Sequence, residues 1–495
     1  MYLPLNSYYF TRNLTIVYHL LLVLSTILWE YNNEKVTRKY ESISVMRVKQ
    51  RHPLIVGTFI LTATGFISRL IGFFYRIYLS RLFGEEEMGI YQLLSPVLSL
   101  SFSLTAAGYQ TAISKLVAEQ TATRKQPSFR PVILGLSLSL PLSLLCNAVL
   151  YFFADTIAVN LLHEARTASM LRILSFSVPL SAIHACMNGY FYGIKKAGIP
   201  AGSQLLEQMV RVGSVYIIST YNMSLGRTPS IGVAILGLTI GEFFSMLMAV
   251  IAIYPWRQTF SAKRTFSTQQ KCPSSQESAH VLYGKLLAMA LPLTANRIIL
   301  NLLQSVESVS IPSQLKLYGY DSTTALSVYG VLTGMAMPFI FFPNALTSSV
   351  AVLLLPMISE SYALGDIKSV KKATLRTVKY CGLMGICCMG IFVLLGRWMG
   401  TTLFHSPLAG YFITTLGFLC PFLYLDTTLS SILQGLGMAG HIFAMNVFSL
   451  LLRLGFVFLA IPRFGITGYL WGILAGQLTL GLLYLGCLQR FLKKH

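Results

Sequence analysis

Apolar stretches close to the roughly 20 residues that carry a helix across a bilayer alternate with short polar breaks along nearly the whole 495-residue sequence. They predict spanning helices over residues 54–80, 88–112, 131–154, 168–193, 199–220 and 231–256. A second set follows over 284–309, 325–355, 375–398, 407–433, 441–461 and 466–488. In lipid every backbone N–H and C=O needs an internal partner, and runs this long and continuous read as helices rather than barrel strands. The expected fold class is an all-α integral membrane protein with twelve core transmembrane helices.

The longest polar break, residues 257–283, is rich in Lys, Gln and Ser and reads as a flexible linker. It divides the core into an N-lobe over 46–256 and a C-lobe over 284–495, six helices each. The halves resemble one another. A shift of 242 positions carries His163 onto His405, Pro179 onto Pro421, Gly193 onto Gly435, Gly198 onto Gly440, Arg211 onto Arg453 and Gly213 onto Gly455. Six spans separate the copies, so both run in the same direction, and the lobes are expected to be related by a pseudo-two-fold along the membrane normal with a cavity between them. Residues 1–45 form an N-terminal extension for which three readings stay open: an extra helix over Asn13–Trp29, a signal-like segment, or translation upstream of a true start at Met46.

Composition agrees: 54% of the residues are hydrophobic and 11% charged, against about a quarter charged in a soluble domain. The net charge of +21 does not imply nucleic acid, because the basic residues sit in the breaks. With the first span entering from the cytoplasm, roughly 22 Lys and Arg fall in inner segments and roughly six in outer ones. Both ends of the core are therefore expected in the cytoplasm. The eight cysteines lie mostly inside apolar runs without a C-x-x-C pair and read as small core residues.

Candidate chemistry lies in the few charges at membrane depth. Arg69 and Arg76 stand seven residues apart on the first helix, close to two turns and so on one face. A lipid-facing Arg costs about 2.5–3.5 kcal/mol on insertion scales, so these two, with Arg211, Arg297 and Arg453, are expected to turn inward and bind substrate. Guanidinium forks match phosphate oxygens, and an anionic diphosphate or sugar phosphate is the natural occupant. Arg211 also has Glu207 one turn before it, where an intrahelical ion pair would serve packing alone; Arg453 has Ser449 there and no such partner. Among the membrane acids, Glu242, Glu307 and Asp426 are candidates for a coupling proton or sodium ion, and each is equally placed to neutralise an arginine. Interior prolines, among them Pro179, Pro292, Pro338, Pro343, Pro356 and Pro421, read as hinges or as static bends. No resident cofactor or metal is expected.

The run Ser68-Arg69-Leu70-Ile71-Gly72, Tyr75-Arg76, Arg81-Leu82-Phe83-Gly84 and Met88-Gly89-Ile90-Tyr91-Gln92 resembles the opening of the stage V sporulation protein B family. Ile311-Pro312-Ser313, Tyr329 to Pro338 and Glu207 to Val212 extend the resemblance, which covers Met46 to Leu488. That family belongs to the multidrug/oligosaccharidyl-lipid/polysaccharide exporter superfamily, with the lipid II flippases among its relatives. The resemblance implies a V-shaped pair of lobes that flips a polyprenyl-diphosphate-linked peptidoglycan or polysaccharide precursor, for spore cortex or cell wall, in the cell membrane of a spore-forming Gram-positive bacterium. In the lipid II flippases the first helix carries required arginines in a Ser-Arg-x-x-Gly context, which Ser68, Arg69 and Gly72 match, with Arg76 as the following arginine. The expected partners are the lipid-linked anionic glycan, membrane lipids and cell-wall synthesis enzymes. Two other readings remain: a cation-coupled drug exporter of the same superfamily, which would want acids in its cavity, and a non-transporting scaffold for wall assembly. Enzymatic activity is not expected, since the outer loops are short.

Overall fold

The computed structural model describes residues 53–124, 128–253 and 279–494. The extension over 1–45 and the linker from 257 to 278 lie outside the described residues. The first helical run, Pro53–Phe102, is broken at Gly84 (φ 80°, ψ −176°), a conformation that a side chain would resist. The chain folds back there, so that Tyr75 and Arg76 come within electrostatic reach of Tyr91. We name the arm before the break α1 (53–83) and the arm after it α2 (85–124). α2 passes through a π-helical turn, Ser103–Ala107, into Gly108–Arg124.

The N-lobe continues with α3 (Arg130–Phe152), α4 (Thr167–Gly193), α5 (Gly198–Ser224) and α6 (Gly232–Ile251). The C-lobe comprises α7 (Ala279–Tyr318), α8 (322–363, with a π turn at Val331–Ala336), α9 (Ile367–Phe404), α10 (Pro407–Gly435), α11 (Ala439–Leu459) and α12 (Ile466–Lys494). All twelve expected spans are present, and the all-α membrane architecture stands. By length and apolarity alone eleven stretches qualify as spans, with α1 and α2 taken as one and α8 as two; α5 falls short because Glu207, Gln208 and Arg211 sit at its centre. Several helices outrun the apolar stretches that predicted them. α9 begins at Ile367 rather than 375 because Asp366 caps it, accepting from the Ser369 amide at 3.0 Å, and Asp321 caps α8 through Thr324 at 3.3 Å.

The repeat appears in the backbone itself. His163 and His405 both take φ 54°, and 32 residues further along each copy Lys195 (φ 61°) matches Gly437 (φ 80°). Gly193 presses on Ser114 and Val117 of α2, while Gly435 presses on Leu355 and Ile358 of α8. Close helix pairs recur as well. Gly237 and Gly241 of α6 admit the α5 backbone, and Gly472 and Gly476 of α12 admit Phe456 and Arg453 of α11; in lipid such small-residue pairs hold helices by close contact.

Twelve crossings leave both ends of the described core on one side, here the terminal end, opposite a distal end. At the distal end a single buried apolar cluster runs through both lobes, including Leu79, Met88, Leu326, Tyr329, Phe412 and Tyr469. At the terminal end two separate clusters take over: Ile113 and Phe191 of the N-lobe with Leu286 of α7, and Ile358, Leu433 and Tyr484 within the C-lobe. The molecule thus has one core distally and two at the terminal end, where α7 packs with the N-lobe. The distal seam is tight. Gly89 and Gly330 meet with no room for a Cβ, and the Arg81 guanidinium donates to the carbonyls of Leu403 (2.7 Å) and Thr402 (2.9 Å) across the lobes.

Two helices tie the lobes together along their length. Phe73 of α1 contacts Phe339 and Phe342 of α8 at centroid distances of 5.0 and 5.1 Å, and Phe66 reaches Phe342 at 6.1 Å. α7 does the reverse, with Thr294 against Gly108 of α2 and Asn301 hydrogen-bonded to Ser99 and Ser103. The outward faces are apolar and exposed, as at Ile217, Leu394, Trp398 and Trp471, which suits hydrocarbon contact.

Candidate substrate cleft and the charges around it

The five candidate arginines occupy three settings. Arg69 lies one turn after Phe66 and one before Phe73, on the side of α1 turned toward α8, and is exposed. Arg297 has the same spacing on α7, between Thr294 and Asn301, on the side turned toward α2, and is exposed too. The two guanidiniums thus have similar settings on the two helices that cross between the lobes. They sit about 24 and 27 Å along their helices at 1.5 Å per residue, both near the middle, and neither is ion-paired among the described residues.

Arg76, two turns distal to Arg69, is half-buried and within electrostatic reach of Tyr91 and Arg211. Arg211 pairs with Glu207 one turn away, as its spacing allowed. Beside that pair His184 Nδ1 lies 3.0 Å from Glu242, and its Nε2 lies 3.0 Å from Ser203 and 2.9 Å from Asn188. The ligand atoms of His184, Glu207 and Glu242 fall within 4.8 Å of one another, the set among the described residues able to share one cation. His184 was not foreseen: a lone histidine in an apolar run gives no sign of partners on α5 and α6.

Arg453 corrects the expectation that it lacks a partner. Glu307 of α7 reaches it across the C-lobe at 2.6 Å, and the Tyr469 hydroxyl donates to the same carboxylate at 2.9 Å. The partner comes from another helix, which i, i+4 spacing along α11 cannot reveal. Glu307 is only 3% exposed, so the pair is a buried and mutually neutralised unit. Asp426 of α10 differs: it is 4% exposed, neither carboxylate oxygen has a well-formed hydrogen bond among the described residues, and Gln477 and Gly481 of α12 lie beside it.

Distal to Arg69 and Arg297, between α2, α7 and α8, is a cavity of about 140 Å³. Its walls are Gln92, Ser95, Pro96 and Ser99 of α2 facing Asn301, Gln304, Ser305 and Ser308 of α7, with Tyr329 and Thr333 of α8 between them. Both four-residue stripes have i, i+3, i+4, i+7 spacing, a polar line on one face of an apolar helix. The stripes are visible in the sequence but carry no charge to set them apart.

A family model described as "Polysaccharide biosynthesis protein" matches residues 54–362. The chain belongs to that family. Among its relatives is "Stage V sporulation protein B" of Bacillus subtilis (strain 168), 28% identical over 445 residues, 89% of this chain and 85% of that one. Two solved structures share the fold. One is an inward-facing multidrug resistance MATE family transporter of the MOP superfamily, with a TM-score of 0.64 at 17% identity, covering 86% of this chain and 96% of that one. The other is the lipid II flippase MurJ in an inward closed conformation, with a TM-score of 0.63 at 16% identity, covering 87% of each. This member of the family is a multi-pass membrane protein with the fold of those two structures.

Proposed function

We propose that this chain carries a polyprenyl-diphosphate-linked glycan precursor of the cell wall or spore cortex across the cytoplasmic membrane by alternating access, with its terminal end in the cytoplasm. One observation carries the reading: Arg69 and Arg297, on the two helices that reach across between the lobes, are exposed near the middle of those helices without an acid to neutralise them among the described residues. A guanidinium so placed is costly unless an anion joins it, and a diphosphate brings the oxygens it prefers. The excess of Lys and Arg in terminal-end segments supports the orientation.

The distal seam through Gly89, Gly330 and Arg81 opens in this account as the separate terminal clusters approach, and substrate affinity that differs between the two forms drives the shift. Asp426 is the coupling site: its buried carboxylate lacks the partner that holds Glu307 to Arg453 and Glu242 to His184. A drug exporter for cations would instead require free acids in the cleft, and those engaged partners speak against it. We read the chain as moving its substrate without chemical change, and a scaffold that moves nothing is the contrary outcome.

The test is complementation of a strain lacking the chain's own gene. Arg69→Ala is expected to abolish rescue at unchanged membrane abundance, and full rescue would remove Arg69 from the substrate path.

A further inference from the structure

The uncharged cavity between α2, α7 and α8 has no part in binding a diphosphate, yet its construction is that of a binding site. Gln92 is 8% exposed and its amide nitrogen has no hydrogen-bond partner among the described residues. A buried amide left without a partner costs about 1–3 kcal/mol, so something outside the protein's own side chains is expected to meet it. Gln304, across the gap on α7, is exposed toward the opening. Each amide offers two donors and an acceptor.

The helices around the cavity are irregular at this level. Pro96 has no N–H to give the Gln92 carbonyl, and Pro312 has none for the Ser308 carbonyl. Both carbonyls belong to wall residues, one on each side. The third wall carries the π turn Val331–Ala336, which includes Thr333; such turns gather at functional sites. Three helices relax their hydrogen-bond ladders around one cavity, and the result is a set of donors and acceptors with no net charge.

The position fits a ligand already held at its charged part. Asn301 and Gln304 stand four and seven residues beyond Arg297 on α7, one and two turns toward the distal end on nearly the same face. We infer that this cavity is a carbohydrate subsite, which takes one neutral sugar ring of the substrate while Arg69 and Arg297 hold the adjoining diphosphate. Sugar hydroxyl and acetamido groups both donate and accept, as the amide-and-hydroxyl wall does. The cleft is small, about 140 Å³, and we assign it a single ring. Because α2 belongs to one lobe and α7 and α8 to the other, sugar held here also reports occupancy to both. This inference rests on the proposed flippase reading.

The test uses the full chain in nanodiscs and two probes, farnesyl diphosphate and farnesyl diphosphate bearing one N-acetylglucosamine. The wild type is expected to bind the sugar probe roughly tenfold more tightly, a few neutral hydrogen bonds' worth. Gln304→Leu, at an exposed position that leaves packing intact, should erase most of that advantage while bare farnesyl diphosphate binds as before; Gln92→Leu should act alike. Arg69→Ala and Arg297→Ala should weaken both probes together. A sugar advantage that survives both Gln variants, or a wild type that does not distinguish the probes, overturns the subsite and leaves the diphosphate reading in place. Binding of neither probe, or Arg variants that bind both normally, overturns the flippase reading and the subsite with it.

Discussion

At the scale of single residues, what separates the buried charges is whether each has a partner. Glu307 and Arg453 satisfy one another and Tyr469, whereas Asp426 is buried with neither oxygen well bonded among the described residues. Neutralising the two acids should have opposite effects. Glu307→Gln leaves a buried guanidinium uncompensated and should lower stability by about 3–5 kcal/mol. Asp426→Asn removes a charge that nothing balances and should keep or raise the thermal midpoint, while ending the dependence of transport on an imposed ion gradient. Thermal unfolding and gradient-driven uptake check both. Equal destabilisation by the two changes, or a gradient-dependent Asp426→Asn, contradicts the assignment of coupling to Asp426.

At the scale of helices, the distal seam depends on two glycines that face one another. A Cβ on Gly330 would run into the Glu85 carbonyl and the Gly89 backbone, so Gly330→Ala must push α2 and α8 apart, at about 1–3 kcal/mol for an overpacked contact. Spin labels at Ser230 and Ser322, exposed distal positions on opposite lobes, should show longer distances in that variant in a cysteine-free background; an unchanged distribution would mean that the seam does not set the state. The spans themselves were legible because hydrocarbon imposes their length, and α5 was found despite its central charges because its flanks are apolar. Helix ends were less legible: caps such as Asp366 extend helices into polar sequence, where hydropathy gives no signal. The Gly-x-x-x-Gly pairs of α6 and α12 were present in the text and acquire meaning only with the partner helix known.

At the scale of the molecule, the repeat made two lobes legible, and the left-handed backbone shared by His163 and His405 bears out the alignment that a single shift suggested. That shift does not relate Arg69 to Arg297, whose likeness lies in their setting, each exposed near the middle of a helix that reaches the other lobe. Contacts between distant segments, such as Glu307 with Arg453 within the C-lobe and the two polar stripes facing one another across the lobes, depend on how those segments meet, which periodicity along one helix does not encode. In the proposed cycle two unpaired guanidiniums between the lobes let an anionic lipid head group cross. The most direct measurement is leaflet exchange in vesicles reconstituted with the full chain, using labelled polyprenyl lipids with diphosphate-glycan, diphosphate or uncharged alcohol heads. The wild type should move the two diphosphate lipids and not the alcohol, and the Arg69→Ala/Arg297→Ala variant should move none of them. Equal movement of all three, or undiminished movement by the double variant, would contradict it.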